Sequence, residues 1–252
     1  MRYLEIAFYR AYADLKTEAS RSFIGFAWWV VEPIVYMLAF YVIFELGLRQ
    51  GEENFLSFLL VGLIFWKWLA SSILLCTGIV SANYRLLNQV YLPKWIFPLS
   101  VVTANACKAA LALLVLFIFL LLNGNTPGMG WWAIVPVILA QLLLISGVGF
   151  LAAAVTPFFR ELKLLIDNGI LALMFLSGVF FNLDKMEESV RAVLMLNPVA
   201  ILLRDARSVL LDNHLPPDHG LYYVVAAALL MLALAFYLFI RFDRVYPKVL
   251  RP

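Results

Sequence analysis

Long apolar stretches alternate with short polar ones along most of the chain, and this pattern predicts the elements of the fold. A helix needs roughly 20 apolar residues to cross the hydrocarbon core of a bilayer. Six stretches fit that description, over about residues 22–48, 55–82, 96–122, 131–155, 164–181 and 221–240. The pattern therefore predicts an all-α integral membrane protein with six transmembrane helices.

Residues 1–21 precede the first span and show a different periodicity. On a helical projection, charged residues lie on one side. The apolar residues on the other side are Leu4, Phe8, Tyr12 and Leu15. Because a span follows directly, we expect this amphipathic helix to lie in the membrane interface. A helix packed on a soluble partner fits the same pattern. The chain thus divides into an interfacial helix, residues 1–21, and a six-span domain, residues 22–252.

The connection over residues 83–95 links the second and third spans. Its portion Tyr84–Tyr91 is long enough for a short helix, and Pro93 stops regular structure after it. The connection also carries two basic residues, Arg85 and Lys94. The pattern predicts a short helix within a polar, basic segment.

Residues 182–219 form the longest polar connection. We predict two short helices in it, Met186–Leu196 and Val199–Leu211, because Asn197-Pro198 breaks the apolar pattern between them. Neither is long enough to span a membrane. The two helices form either a hairpin that re-enters the outer leaflet or a pair that lies flat as a lid.

Composition and charge add an orientation to this picture. The chain is 64% hydrophobic and 14% charged, whereas a soluble domain is about half apolar and a quarter charged. Of the 19 Lys and Arg residues, twelve lie in the N-terminal segment, the second and fourth connections and the C-terminal tail, and five on the other face. Since cytoplasmic connections carry the excess of basic residues, we expect both termini in the cytoplasm.

Four charged residues fall inside predicted spans: Glu32, Lys67, Lys108 and Asp167. A charge at this depth is expensive and is normally kept for a buried or water-lined use. Glu32 and Lys108 both lie roughly 15–18 Å from the cytoplasmic ends of their spans, so they are able to pair. Such a pair either locks the packing or borders a hydrated path. Pro33 favours a kink beside Glu32, and we expect Glu32 to lie near the path.

The first span is also rich in aromatic side chains: Phe23, Phe26, Trp28, Trp29, Tyr36 and Tyr41. Aromatic residues in membrane helices are more often interfacial or packing residues than ligands. Six in one span exceed what an interfacial belt needs, and aromatic faces stack well on sugar rings. Together with Glu32 and Asp167, they are the candidate lining of a channel.

Motifs for catalysis are missing from the sequence. There is no GxxxxGK[ST] phosphate-binding loop, and no Ser/His/Asp arrangement stands out. The two histidines, His214 and His219, lie in a Pro-rich connection and would lack further metal ligands. We therefore expect no enzyme, no bound metal and no cofactor on this chain.

Three segments of the sequence resemble one known family. FIGFAWWVVEP follows the N-terminal helix, NQVYLPKWIFPLS follows the second span, and LNPVAILLRDAR lies between the fifth and sixth spans. In this order, they resemble the permease subunit of ABC-2-type polysaccharide exporters, which handle O-antigen, capsular polysaccharide and teichoic acid. The resemblance covers nearly the whole chain and implies the ABC-2 permease fold.

The resemblance implies an assembly in the bacterial inner membrane, in contact with membrane lipids and without nucleic acid. Two permease copies join two copies of a cytoplasmic ABC ATPase, which binds ATP and Mg²⁺. The substrate is a glycan linked to a lipid, commonly undecaprenyl diphosphate, and it moves outward through a channel lined by the first and fifth spans of both copies.

The resemblance also implies roles for particular residues. Residues 83–95 contain the coupling helix that docks in a groove of the ATPase, and residues 1–21 touch the same subunit. The outer gate includes Asn197 and Pro198. Independently of the resemblance, Lys67 and Lys108 are candidate partners for the charges within the membrane. The coupling residues are Tyr84, Arg85, Leu86, Leu87, Gln89 and Tyr91.

Three other functions fit parts of the sequence. An ABC-2 permease for a drug or a small lipid would share the spans, although such permeases often carry a larger outer domain or a fused ATPase. A membrane-embedded lipid-linked sugar transferase would need more acidic or metal-binding residues than Glu32 and Asp167 provide. A membrane scaffold would not need charges at depth.

Overall fold

The computed structural model describes residues 2–21, 27–42, 55–125, 127–216 and 219–249, with some side chains left out, Glu32 among them. All regular structure in these ranges is helical, which confirms the predicted all-α membrane class. The helices are α1 (Arg2–Arg21), α2 (Trp28–Tyr41), α3 (Phe55–Ala82), α4 (Tyr84–Gln89), α5 (Ile96–Leu122), α6 (Ile134–Val155), α7 (Leu162–Leu176), α8 (Glu188–Leu194), α9 (Pro198–Leu210), α10 (Gly220–Arg241) and α11 (Tyr246–Val249). Short 3₁₀ turns occur at Met129–Ala133 and Leu183–Lys185.

Four of the described helices are long and apolar enough to cross a bilayer: Phe55–Ala82, Ile96–Leu122, Gly130–Val155 and Gly220–Arg241. They correspond to the predicted spans two, three, four and six, so the chain is a multi-pass membrane protein. The first predicted span is described only over residues 27–42, where α2 continues through Pro33. The fifth is described as α7, which has 15 residues and ends at Leu176. The count of six spans stays a prediction.

The core is built around α3, the innermost of the long helices. Every residue from Leu59 to Trp66 is buried, because α3 has α2, α5, α6, α7 and α9 as neighbours. The helix α6, one of these neighbours, also packs along α10. Helices in a membrane gain little from hydrophobic burial against each other, so close van der Waals packing holds such a bundle together.

The connections alternate between the two ends of the bundle. Residues 83–95, 156–161 and 242–249 meet at one end, which we call the basic end. There, the ammonium of Lys94 contacts Asp243. At the opposite end, the amide of Asn123 donates to the Ser57 hydroxyl, joining the start of α3 to the end of α5. This alternation agrees with the predicted order of spans, and the basic end is the face predicted to be cytoplasmic.

The N-terminal helix α1 packs through a different face from the one that its sequence pattern emphasises. Ala7 and Ala11 are buried against the rest of the chain, and the neighbour is α5. Leu4, Phe8 and Tyr12 are exposed. These apolar side chains are therefore free to meet lipid, as an interfacial helix requires, and the interfacial position stays a prediction.

Candidate functional site

Residues 83–95 contain the predicted short helix, α4, at the basic end. Leu87 is buried and anchors it, whereas Arg85, Leu86 and Gln89 are exposed. The helix ends at Gln89, and Val90 is extended (φ −136°, ψ 136°). The prediction that the helix reaches Tyr91 is therefore wrong by two residues.

The side chain of Tyr91, just beyond the end of α4, contacts the C-terminal segment. Its hydroxyl donates to Oδ2 of Asp243 at 2.9 Å, and Nζ of Lys94 contacts Oδ1 of the same carboxylate at 2.7 Å. Only 4% of the Lys94 side chain is exposed. The hydrogen bond to Asp243 raises the pKa of the Tyr91 hydroxyl, because only the neutral hydroxyl can donate it, and the negative charge of the carboxylate raises this pKa further. The hydroxyl stays protonated and remains a donor at neutral pH.

A second tyrosine fixes the C-terminal segment to the bundle. Tyr246 is fully buried, and its hydroxyl donates to the Ala154 carbonyl at 2.9 Å. Its ring lies 4.9 Å from that of Phe158 and 5.9 Å from that of Phe239, between centroids. Burial, and then the charge of Asp243, raise the pKa of Tyr246, so this hydroxyl also stays a donor. Neither Asp243 nor Tyr246 stood out in the sequence, where the tail read simply as basic.

Two side chains of α1, Arg10 and Glu18, contact the chain at two levels along α5. At one level, Nη2 of Arg10 donates to Oδ1 of Asn83 at 2.7 Å, and its guanidinium lies 4.8 Å from the ring centroid of Phe97. At the other, Lys108 forms an ion pair with Glu18. Phe97 and Lys108 are eleven residues apart, a rise of about 16 Å. The helix α1 therefore follows α5 and also touches the start of residues 83–95.

The ion pair gives Lys108 a partner that the sequence did not indicate. Lys108 is buried, with 5% of its surface exposed, and Glu18 lies on the charged side of α1. The sequence made a pair between Lys108 and Glu32 geometrically possible. The side chain of Glu32 lies outside the described residues, so that pair stays a prediction.

The other candidate channel residues are spread over α2, α3 and α7. Trp28 and Tyr36 are exposed on α2, and Asp167 is half-buried on α7. Lys67 is half-buried on α3, between two buried tryptophans. The exposed rings face away from the rest of the described chain, and a role in lining a channel stays a prediction. The following fall outside the description wholly or in their side chains: Phe23, Phe26, Trp29, Glu32 and Tyr41.

The connection over residues 182–219 contains two helices of very different exposure. In α8, which is shorter than the predicted Met186–Leu196, no residue is buried. In α9, nearly every residue is buried, because the helix packs among α3, α6 and α10. This burial does not distinguish a hairpin that re-enters the outer leaflet from a pair of helices that lies flat, so both stay predictions. The prediction of a break at Asn197-Pro198 agrees with the structure, since α9 begins at Pro198.

Asn197 joins the start of α9 to the end of α7. Its Oδ1 accepts from the Val199 amide at 3.0 Å and caps the helix. Its Nδ2 donates to the Ser177 hydroxyl at 2.8 Å. Asn197 and Pro198 therefore lie where α7 and α9 meet, at the end of the bundle opposite the basic end.

Arg207 joins the other end of α9 to α7 and α3. Its guanidinium donates to three backbone carbonyls: Phe58 at 3.2 Å, Gly178 at 2.6 Å and Val179 at 2.8 Å. It also lies 3.5 Å from the centroid of the Phe58 ring. Gly178 is in the left-handed region (φ 71°), which glycine adopts at little cost. This turn ends α7 and presents its carbonyls to Arg207.

The contacts of Arg207 were not predicted from the sequence. We counted Arg204 and Arg207 among the basic residues of an outer connection, but both side chains are buried, as is Asp205. The helical pattern of α9, with charges on one side, is the same as that of a helix exposed to water. A cation can be buried where backbone carbonyls accept its hydrogen bonds, and no residue type in the sequence indicates where such carbonyls lie.

Comparison with known proteins relates the chain to membrane transporters. The family model described as ABC-2 type transporter matches residues 86–211, which run from α4 to the end of α9. Two proteins of Klebsiella pneumoniae named O-antigen export system permease protein RfbA are 27% and 25% identical to this chain, over 80% and 89% of it and 78% and 87% of their own lengths. A protein of the same name from Myxococcus xanthus is 29% identical, over 87% of this chain and 85% of its own.

Proposed function

We propose that this chain, which belongs to the ABC-2 type transporter family, is the membrane-spanning subunit of an ATP-driven polysaccharide exporter. The substrate is a glycan linked to a lipid such as undecaprenyl diphosphate, moved outward across the bacterial inner membrane with both chain termini in the cytoplasm. The observation that carries this proposal is the similarity to O-antigen export permeases over at least 80% of the chain. The chain is a transport subunit, and ATP and Mg²⁺ bind to a separate ATPase chain.

The basic end supplies a docking surface for that ATPase. On α4, the anchoring residue Leu87 is buried, while Arg85, Leu86 and Gln89 are exposed. A short helix that is anchored by a buried side chain and exposed on its other face is able to enter a groove of a partner without unfolding. Because Arg10 bonds Asn83, a force on α4 also reaches α1.

A second copy of the chain completes the channel. Trp28 and Tyr36 are exposed on α2, and α7 exposes Leu165, Leu171 and Phe175. In the proposed homodimer, the first and fifth spans of both copies form the wall, with Glu32 and Asp167 near the path. Aromatic side chains on that wall suit the apolar faces of sugar rings.

The unit formed by α7 and α9 controls the outer end of the path. Asn197 and Arg207 tie α9 to the turn that follows α7, and Arg207 also binds α3 through the Phe58 carbonyl. Opening of the gate then displaces α9 and this turn against their copies. Asn197 and Pro198 lie at the start of α9, beside the end of α7.

The docking surface predicts the effect of a change on α4. We expect Arg85→Glu combined with Leu86→Asp to lower co-purification of the ATPase subunit by about tenfold or more, because a central apolar and a charged contact are both lost. Membrane insertion should be unchanged, since both side chains are exposed. The measurement is a pull-down from detergent extracts, quantified against the amount of permease.

Leu215→Asp is the matched control, because Leu215 is an exposed leucine in the connection at the opposite end. It should leave the ATPase bound. Undiminished co-purification in the α4 double variant would contradict the proposed docking surface.

A further inference from the structure

We infer that the C-terminal segment, residues 242–249, belongs to the coupling machinery and carries movement of residues 83–95 to α6 and α10. This inference rests on the proposed function, because it gives a route for motion that an ATPase subunit imposes. It concerns residues beyond the part of the chain that the family model matches. The residue that joins the two segments is Asp243, which acts as a positioning residue.

Asp243 holds the end of residues 83–95 through both oxygens of its carboxylate. One oxygen binds the ammonium of Lys94 at 2.7 Å, and the other accepts the hydroxyl of Tyr91 at 2.9 Å. The Lys94 side chain is 4% exposed and that of Asp243 is 22% exposed. A pair this protected is screened by salt much less than one on an open surface. Since α4 ends at Gln89 and only Val90 separates it from Tyr91, a displacement of α4 reaches Asp243 through Tyr91.

The residues that follow Asp243 are fixed to the bundle. The buried hydroxyl of Tyr246 donates to the carbonyl of Ala154, in the last turn of α6. The rings of Phe158 and Phe242 meet at 5.5 Å, and that of Tyr246 packs on both Phe158 and Phe239. Aromatic contacts of this kind add specific geometry to the burial of area. Asp243 therefore sits between α4 and a junction that is firmly packed.

These contacts extend the reach of α4 beyond its neighbours in the chain. By connectivity alone, α4 adjoins only α3 and α5. The C-terminal segment adds α6, through Tyr246, and α10, which leads directly into Asp243. A push on α4 then reaches α6 and α10 directly, in addition to the path through the packing of α6 on α3 and α5.

The test is Asp243→Asn in the complete complex of permease and ATPase subunit. The probe is an undecaprenyl-diphosphate-linked polysaccharide, and the readout is the ATP hydrolysis that it stimulates. We expect stimulation to fall about threefold or more, a size usual for loss of a coupling contact. The ATPase should stay bound, because the exposed side of α4 is unaltered. Lys94→Asp should lower stimulation as well, and combining it with Asp243→Lys should restore part of it, which a role in folding alone does not predict.

Asp184→Asn is the matched control, because Asp184 forms an ion pair with Arg191 at 2.9 Å at the opposite end. It should keep normal stimulation. Hydrogen exchange of residues 83–95 in the purified permease should become faster in Asp243→Asn and not in Asp184→Asn. Normal stimulation in Asp243→Asn would overturn the inference. Failure of the proposed function would show instead in the unaltered chain, as no binding of an ATPase subunit.

Discussion

Replacing Arg207 by Met is expected to destabilise the chain more than any other single change that the structure suggests. The guanidinium donates to the carbonyls of Phe58, Gly178 and Val179. Met leaves the Gly178 and Val179 carbonyls without that donor in a buried place, while the Phe58 carbonyl keeps its hydrogen bond within α3. An unsatisfied buried acceptor costs about 1–3 kcal/mol, so the sum is several kcal/mol. The thermal midpoint in detergent should fall by on the order of 10 °C. The midpoint is measured by heating the protein in detergent and monitoring the loss of monodisperse protein.

The same substitution at Arg191 is the control. Arg191 lies on α8 in the same connection, and 39% of its side chain is exposed beside Asp184. An exposed ion pair contributes about 0–1 kcal/mol, so Arg191→Met should barely change the midpoint. The midpoint of Arg207→Lys should lie between those of Arg207→Met and the unaltered chain, since an ammonium cannot reproduce the fork of the guanidinium. Equal midpoints for Arg207→Met and Arg191→Met would show that the anchor does not stabilise the fold.

Gly62→Ala is expected to have the second largest effect, through the same anchor. A Cβ on Gly62 would lie 2.3 Å from Nη2 of Arg207 and 3.2 Å from the Val179 carbonyl oxygen. The guanidinium has no room to withdraw without losing the carbonyls that it binds. Overpacking of a well-filled interior costs about 1–3 kcal/mol. The same thermal measurement should show a clear loss of stability.

Gly78→Ala controls for helix propensity, because Gly78 lies in the same helix and a Cβ there meets no atom within 4 Å. It should be neutral or slightly stabilising, by up to about 1 kcal/mol. The effects of Gly62→Ala and Arg207→Met should also fail to add, since residues in contact share one interaction. Simple additivity would mean that the methyl group and the guanidinium do not meet.

Hydropathy was enough to predict the long helices, because lipid forces every spanning segment to satisfy its backbone internally. The predicted ranges 55–82 and 96–122 coincide with α3 and α5. The fifth span was predicted too long, since the apolar run continues past the turn at Gly178 that ends α7. Hydropathy counts apolar residues and does not register where the backbone turns.

Side-chain contacts between distant parts of the chain could not be predicted from the sequence. The break at Asn197 was predicted from local turn chemistry, but its bond to Ser177 was not. Glu18 and Asp243 looked like solvated charges on a helix and in a tail, and both instead bind buried lysines. Periodicity places a residue on a face, while the partner on that face depends on how the helices pack.

The most direct test of the account is transport in sealed vesicles that contain this permease and its ATPase subunit. An undecaprenyl-diphosphate-linked polysaccharide is placed in the leaflet on the ATPase side, and its arrival on the other side is detected by a glycosidase that cannot cross the membrane. We predict transfer that requires ATP, together with no transfer of a drug-like cation or of a small lipid without glycan. Transfer of the small compounds while the glycan-lipid stays in place would contradict the account.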